Sequence, residues 1–403
     1  MKKVKSYIWA IAVMLCLVSC SDADRNGSAE EGKEDQSCFT HSSTKNITSD
    51  ENYYYTAVSG VIEASPKEHL DFQVICNKPE CFHEDDSCIA WLGSGAVFAS
   101  EGKLFALKSG RSDDMANYEL VQISIQDGIT TKISTIVQSV ESEEGGTLTS
   151  PPEFMIHKGY AYYVLLSGAD SGEAVSSVYR VKLVKNAKPE KLFEVSGEAG
   201  SGCKLRGKGN QVYILSLYLE KESVQSIKSD LYSYSVTDHT LNLVESVKGK
   251  EINNDFCIHD QELIYRIREN YEIHSVSLKN GEDRLLVPGK DTEMTGNMLN
   301  SDSYIFDWRN FRLPQKNSNT PYIVRVYTYG GELAVEIALP VQDEEMFSGY
   351  ILGGDEKYLF FYQKEITEHF GVQHHVWTYD LTDLSDGEWK DHILNELSGQ
   401  PAN

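Results

Sequence analysis

The sequence has little proline, only one apolar stretch near helical length, and no excess of positive charge. Only 10 of its 403 residues are proline. Beyond residues 7–18, no apolar run approaches the roughly 20 residues that a membrane-spanning helix needs, so we expect no span in the rest of the chain. The formal net charge of −24 argues against nucleic acid as a partner, because phosphate backbones are bound through basic surfaces. The negative charge also disfavours docking on anionic lipid, and we attribute this charge to solubility.

The N-terminus has the pattern of an export signal. Three lysines precede the apolar stretch at residues 7–18, which is too short for a transmembrane helix. The stretch ends in Leu-Val-Ser-Cys at Cys20, which resembles the bacterial lipobox. That resemblance implies that residues 1–19 are a lipoprotein signal peptide and that the Cys20 thiol carries diacylglycerol. We therefore expect an extracytoplasmic location in the cell envelope, anchored to the cell membrane or the outer membrane.

Residues 20–50 are rich in Ser, Asp, Glu, Gly, Asn and Lys and almost devoid of large apolar side chains. Such a segment cannot bury enough apolar surface to offset the entropy lost on ordering. We predict a flexible tether between the lipid and a folded body. Because the charge disfavours electrostatic attachment, we expect the acyl chains to be the only contact with the membrane.

Residues 51–398 contain a unit that repeats every 45 to 60 residues or so. Each copy has a short apolar strand, a polar turn, a strand with an aromatic doublet, a variable loop, and two further strands. Doublets of this kind include Tyr162-Tyr163 and Phe360-Phe361. The pattern predicts an all-β fold, a β-propeller of about seven four-stranded blades, and counts of six or eight are also compatible with it. The doublets are expected to fill the layers between blades.

The repeats resemble the TolB-like and low-density-lipoprotein-receptor-like propellers of bacterial surface lipoproteins. The resemblance covers roughly residues 53–397 and rests on the blade pattern, without a strict WD, kelch or YWTD signature. It implies a fold more than an activity, because members of this kind are mostly uncharacterised.

A Cys/His-rich loop is expected at residues 76–88, just after the last strand of the first unit. Its spacing is C-x4-C-x-H-x4-C, formed by Cys76, Cys81, His83 and Cys88. Three thiolates and one imidazole are a ligand set for tetrahedral zinc, and a closed Cys3His shell would be structural. The run is similar to an element of clostridial-type propeller lipoproteins, in which C-x-K-P-x-C-x-H-x4-C recurs.

Disulfides are the competing interpretation of these cysteines, since an exported chain occupies an oxidising compartment. Besides Cys20, the mature chain would contain six cysteines, enough for three bridges. Cys38 could pair with one cysteine of the loop. Cys203 and Cys257, on first strands of consecutive units, could be buried free thiols or form a bridge between blades. On either interpretation residues 76–88 form a stapled loop.

Other candidate residues give weaker signals. His374 and His375 precede a predicted strand and are interpreted as a surface pair, because neighbours on a strand point to opposite faces. His259 and His274 are interpreted as ordinary strand residues. A rim loop that contacts a ligand, or a covered sheet edge, is predicted around Trp308, Arg309 and Arg312.

Two classes of function are compatible with the sequence. No nucleophile elbow, Walker loop, HExxH or EF-hand motif is present. We therefore favour a binding or scaffold protein for a protein, peptide or glycan ligand. The alternative is an extracytoplasmic hydrolase or lyase acting on carbohydrate or peptide at one mouth of the propeller.

Overall fold

A computed structural model describes residues 47–93, 95–109, 118–137, 153–168, 173–198, 202–220, 223–292, 296–309, 322–340, 348–366, 372–384 and 387–394. The described strands form seven antiparallel sheets of four strands, each built from consecutive segments of the chain. This confirms the predicted all-β propeller and fixes the number of blades at seven. Cys20 and the predicted tether as far as residue 46 lie outside the described residues.

The first four blades span residues 47–243. Blade 1 contains β1 (Ile47–Ser49), β2 (Tyr53–Thr56), β3 (Glu63–Pro66) and β4 (Gln73–Val74). Blade 2 contains β5 (Ala96–Ser100), β6 (Lys103–Ser109), β7 (Tyr118–Ser124) and β8 (Ile129–Val137). Blade 3 contains β9 (Glu153–His157), β10 (Tyr160–Gly168), β11 (Glu173–Lys182) and β12 (Glu190–Glu198). Blade 4 contains β13 (Gly202–Lys208), β14 (Gln211–Glu220), β15 (Ser223–Ser235) and β16 (Leu241–Leu243).

The last three blades span residues 252–393. Blade 5 contains β17 (Ile252–His259), β18 (Glu262–Ile267), β19 (Ile273–Ser277) and β20 (Asp283–Val287). Blade 6 contains β21 (Gly296–Asn300), β22 (Tyr304–Arg309), β23 (Ile323–Thr328) and β24 (Leu333–Ala338). Blade 7 contains β25 (Ser348–Gly354), β26 (Tyr358–Ile366), β27 (Val372–Asp380) and β28 (Trp389–Ile393). Short 3-10 turns at Glu245–Val247 and Gly289–Asp291 are the helical segments among the described residues.

The folded body begins slightly before residue 51. β1 pairs with β2, and Ile47 is completely buried. This strand has a single large apolar side chain, so its composition resembles that of the polar segment before it.

The aromatic doublets on second strands join adjacent blades, as predicted. Successive side chains on a strand point to opposite faces, so the two members of a doublet enter different interfaces. Tyr162 packs towards blade 4 and Tyr163 towards blade 2. Phe360 packs towards blade 1 and Phe361 towards blade 6. Seven buried apolar clusters result, one at each interface between neighbouring blades.

First strands of successive blades contact one another along the ring, which places them nearest the axis. The inner edges of these first strands have no neighbouring strand, and side chains from adjacent blades form hydrogen bonds with some of the backbone groups along those edges. Thr48 Oγ1 accepts a hydrogen bond from the Ala99 amide at 3.2 Å. Arg206 Nε donates to the Phe256 carbonyl at 3.1 Å.

Strand direction alternates within each blade, so the connections fall into two sets. The turns between first and second strands are short, and Glu101-Gly102 and Lys158-Gly159 have positive φ at both positions, as a two-residue type I′ hairpin requires. The connections between second and third strands, and those between blades, lie at the opposite end. We call that end of the ring the upper face, and the segment of residues 75–95 between blades 1 and 2 belongs to it.

Blades 7 and 1 close the ring without sharing a strand. The Tyr54 ring packs at a tilt against the Phe360 ring, with centroids 4.8 Å apart, and the Tyr54 hydroxyl donates to Asp355 at 2.6 Å. Lys357 Nζ donates to the Lys67 carbonyl at 3.2 Å. Side-chain packing and these hydrogen bonds therefore hold the seam.

Candidate metal centre

The four residues of the predicted Cys/His cluster converge in the loop that follows β4. One donor atom from each of Cys76, Cys81, His83 and Cys88 lies within 4.8 Å of all the others. His83 Nδ1 is 3.2 Å from Cys88 Sγ. These three cysteines are not joined in disulfides, and neither are Cys203 and Cys257, the other cysteines in the described part of the chain.

Local backbone geometry brings these donors together. Glu80 and His83 both have φ of 58°, in the left-handed region that non-glycine residues seldom adopt. They lie on either side of Cys81 and turn the chain back on itself. Lys78 Nζ donates to the Ser87 carbonyl and ties the beginning of the loop to its end.

The C-terminal part of the loop is anchored in the core between blades 1 and 2. Cys88 is 1% exposed and lies in the same buried cluster as Trp91. The Ile62 amide donates to the Ala90 carbonyl at 2.7 Å, which attaches this part to blade 1. Gly60, with φ of +87°, permits the close approach of the two segments, since a Cβ there would lie 2.7 Å from the Gly93 carbonyl oxygen.

Blade 2 holds the outer part of the loop by one lysine. Lys108 Nζ lies 2.7 Å from an Asp86 carboxylate oxygen and 4.9 Å from the centroid of the Trp91 ring. Phe82, between two of the donor residues, is 72% exposed. The loop thus has a buried base and a tip that faces solvent.

The thiols differ in their electrostatic environment. Desolvation raises the pKa of Cys81, but the His83 backbone amide and the neighbouring thiols lower it more, so the net pKa is below its ordinary value. The positive charge of Lys78 contributes in the same direction. For Cys88, burial raises the pKa to about 12, and hydrogen bonds to Cys76 and Cys81 add to the increase.

The donor set fits a tetrahedral metal ion. With Zn–S distances of about 2.3 Å, sulfur atoms around zinc are about 3.8 Å apart, which falls within the observed spread of donor atoms. Thiolate and imidazole are ligands that zinc prefers, and four of them leave no open position for water. The residues present can therefore hold a structural metal ion.

Cys203 and Cys257 do not form a bridge between blades. Cys203 is buried between blades 3 and 4, and Cys257 is buried between blades 5 and 6. Both lie on first strands, as predicted, and burial raises the pKa of Cys203 to about 12. Cys38 lies outside the described residues.

The histidine predictions are partly wrong. His259 and His274 are strand residues, as expected. His375, however, is only 7% exposed rather than on the surface, and its Nδ1 is 2.9 Å from Asp391. Its neighbour His374 points to the other face and contacts the Tyr362 hydroxyl at 2.7 Å. Both histidines lie inside β27, where His375 is buried and His374 is half-buried.

The prediction of a rim loop or a covered sheet edge is also wrong for Trp308. Trp308 belongs to β22, is 4% exposed and packs in the core between blades 6 and 7. A Trp-Arg sequence in a strand-rich region suggested an interruption, but the aromatic ring fills an interface instead. Arg309 ends the strand, and Arg312 lies outside the described residues.

No sequence pattern predicted an ionic network near the axis. Glu153 of β9 is 3% exposed and accepts hydrogen bonds from Arg206 Nη1 at 3.1 Å and Lys204 Nζ at 3.2 Å, both on β13. It also accepts from the Leu205 amide at 3.3 Å. These partners lie about 50 residues away in sequence, so no local pattern connects them.

A polar cleft of about 490 Å³ opens at the seam between blades 7 and 1 and was also not predicted. Its walls are residues 69–73 of blade 1 and residues 390–393 of blade 7. His392 lies in this cleft, with Nε2 3.0 Å from Thr378 Oγ1. Burial lowers the pKa of His392, and the charge of Lys390 lowers it further.

The fold defines a seven-bladed β-propeller protein. No family model matches the chain, and no curated protein sequence matches it. Solved structures that resemble it include oligopeptidase B from Leishmania major, with 13% identity over 90% of this chain and 50% of that one, at a TM-score of 0.47. Another is prolyl oligopeptidase B from Galerina marginata, with 11% identity over 90% of this chain and 53% of that one, at 0.45. A third is a dihydro-heme d1 dehydrogenase, with 10% identity over 87% of this chain and 66% of that one, at 0.43. The chain spans about half the length of the two peptidases.

Proposed function

We propose that this protein is a lipid-anchored, extracytoplasmic β-propeller that binds a protein, peptide or glycan through its upper face. The observation that carries the proposal is the exposed tip of the residue 75–95 loop on a rigid base. Loops fixed on a stable scaffold are where binding residues concentrate. Phe82 supplies an exposed aromatic side chain, a type of residue that is enriched at protein interfaces.

The loop's charge favours a ligand with basic groups. Glu80, Glu84 and Asp85 surround Phe82 in sequence and are exposed. Asp86 is also exposed, but it forms an ion pair with Lys108. Acidic side chains repel anionic glycans and attract Lys- or Arg-containing partners. Among the three ligand classes, a protein or peptide therefore fits this surface best.

Zinc bound by Cys76, Cys81, His83 and Cys88 would fix the tip, because two of these ligands flank Phe82. Its contribution is structural, since four protein ligands close the coordination shell. Metal analysis of the chain purified under reducing conditions is expected to give one zinc per molecule. Cys81→Ser is expected to remove it, while Cys203→Ala, at a buried thiol remote from the loop, retains it. A wild-type chain that stays metal-free while its three loop thiols are reduced contradicts the zinc site.

Ligand identification calls for a peptide and glycan array probed with wild-type protein and with Phe82→Ala. The proposal predicts hits among basic peptides that Phe82→Ala weakens at least tenfold. Leu333→Ala is the matched control, because Leu333 is a 51% exposed apolar residue on the last strand of blade 6. The assignment of binding to this loop is refuted if Phe82→Ala and Leu333→Ala lose binding equally, or if Phe82→Ala binds the same ligands as strongly as the wild type.

A cluster of acids, histidine and arginine converging at an axial mouth would favour the alternative, a hydrolase or lyase. Near the axis, the described charges Glu153, Lys204 and Arg206 bond to one another and to backbone. They are arranged to hold inner strands together, and for this reason binding is proposed in preference to catalysis.

The resemblance to TolB-like propeller lipoproteins supports the anchored location proposed for this chain. Among the residues that the structure describes, no helix has the length and apolar character needed to cross a bilayer. The proposal assigns membrane attachment to the lipid on Cys20.

A further inference from the structure

The three thiols of the metal loop differ in accessibility. Cys88 is 1% exposed and belongs to the buried cluster between blades 1 and 2. Cys76 and Cys81 are partly exposed and only pack against the edge of that cluster. A small oxidant from solvent therefore reaches Cys76 and Cys81 before it reaches Cys88.

The same two thiols are placed to join each other. All donor atoms of the cluster lie within 4.8 Å, whereas a disulfide requires about 2.05 Å between sulfurs, so a modest loop movement closes the gap. Only four residues separate Cys76 from Cys81, and the segment between them has no strand pairing. Cys88 is held by the packing of residues 89–92, and moving it would disturb the core.

We propose that the loop is a redox-gated metal site, in which oxidation of Cys76 and Cys81 to a disulfide releases the metal ion. This inference rests on the zinc binding proposed above. It makes the zinc and disulfide forms two states of one site rather than alternatives.

The reaction balances with a low-molecular-weight disulfide as the two-electron oxidant. The Cys81 thiolate attacks one sulfur of the oxidant, forms a mixed disulfide and releases one small thiolate. The Cys76 thiolate then attacks the Cys81 sulfur and releases the second small thiolate. Two protein thiolates are oxidised, the oxidant is reduced to two thiolates, and no proton is required. The metal keeps only His83 and Cys88 and leaves to solvent or a chelator.

Release of the metal should loosen the tip and leave the ring intact. Phe82 and Glu84 are then no longer flanked by residues that the metal holds in place, whereas residues 88–92 stay packed between blades 1 and 2. The redox state would thus control the surface that we propose binds the ligand. Extracytoplasmic compartments, where thiols are not kept reduced, supply the conditions for such a change.

The test uses the full chain in detergent, loaded with zinc under reducing conditions and then titrated with oxidised glutathione. A chromogenic chelator measures free zinc, a thiol reagent counts remaining thiols, and peptide mass mapping identifies the bridge. A glutamate-specific protease probes the bond after Glu84, which lies outside the ring that a Cys76–Cys81 bridge closes. We expect one zinc released per two thiols lost, a Cys76–Cys81 crosslink, and faster cleavage of the loop but not of the blades.

Two variants separate this inference from the zinc proposal. Cys88→Ser should bind no zinc yet still form the Cys76–Cys81 bridge, whereas Cys203→Ala should behave like the wild type. A crosslink that includes Cys88, or zinc that stays bound while Cys76 and Cys81 oxidise, overturns the gating model. Zinc that binds stoichiometrically and resists oxidised glutathione also overturns it, while leaving the structural zinc site established. Absence of zinc from the reduced wild type removes the basis of both.

Discussion

The ion pair between Arg266 and Asp307 offers the sharpest test of how neighbouring blades are joined. Arg266 Nη2 donates to Asp307 Oδ1 across the interface from β18 of blade 5 to β22 of blade 6. The side chains are 1% and 0% exposed, so solvent screens neither charge. The carboxylate also raises the pKa of the neighbouring Tyr327 hydroxyl, after the larger effect of that residue's own burial.

Removing one partner deprives the other buried charge of this ion pair. Breaking a buried pair typically costs about 3–5 kcal/mol, and burial this complete places Arg266→Met within that range. Asp307→Leu should cost a similar amount. The double variant should cost less than either single change, because replacing both charges by apolar groups leaves no uncompensated ion.

Urea unfolding followed by tryptophan fluorescence measures these free energies, with buried Trp308 next to Asp307 as an internal reporter. Lys132→Met provides the control, because Lys132 pairs with Glu119 on the surface of blade 2, at 49% and 39% exposure. An exposed pair contributes about 0–1 kcal/mol. If Arg266→Met costs no more than this control, the buried pair does not hold the interface and the reasoning is refuted.

Three further predictions concern the seam, a turn and the anchor. The pKa of His392 is lowered in the folded state, so its neutral form adds stability above the unfolded value of 6.5, and this contribution is lost as pH falls through the lowered pKa. In His392→Gln the unfolding free energy should therefore depend less on pH between about 7 and 5 than in the wild type. An unchanged pH profile contradicts this assignment to His392. Gly331 has φ of +84°, and a Cβ there would lie 2.1 Å from the Leu286 carbonyl oxygen of blade 5. Gly331→Ala should therefore destabilise the protein by more than the control Gly128→Ala, where φ is +65° but nothing lies within 4 Å, so that left-handed strain alone costs about 1–2 kcal/mol. Equal shifts in the unfolding temperature of the two variants argue against the clash. Cys20→Ser should move the protein from the membrane fraction to the soluble fraction, and a variant that still sediments with membranes after signal cleavage excludes lipid as the only attachment.

The blade architecture was accessible from sequence because its signal is local and repeated. The doublets Tyr162-Tyr163 and Phe360-Phe361 place one ring on each face of a strand, and only packing between two neighbours buries both. The strand Ile47–Ser49 was absent from the prediction because it has one large apolar residue and pairs with a strand that follows it.

The metal loop was predictable because all four donors lie within thirteen residues. The interior charges were not, since Glu153 meets Lys204 and Arg206 about 50 residues later, and Arg266 meets Asp307 41 residues later. A sequence shows that such residues are polar but not that the ring buries them. The same limit explains the error at His375, whose burial depends on neighbouring strands of blade 7.

Each blade is formed by a single uninterrupted segment of the chain, so the order in which these segments follow one another can be changed. Many closed rings combine strands from both chain ends in one sheet, which makes the termini indispensable to that sheet. Here a circular permutant opened at any junction between blades keeps all seven sheets whole. The contacts that Tyr54 and Lys357 make across the seam are then the connection that a covalent linker would reinforce. Synthesis from the N-terminus can likewise complete one blade after another, leaving this side-chain seam as the last interface to form.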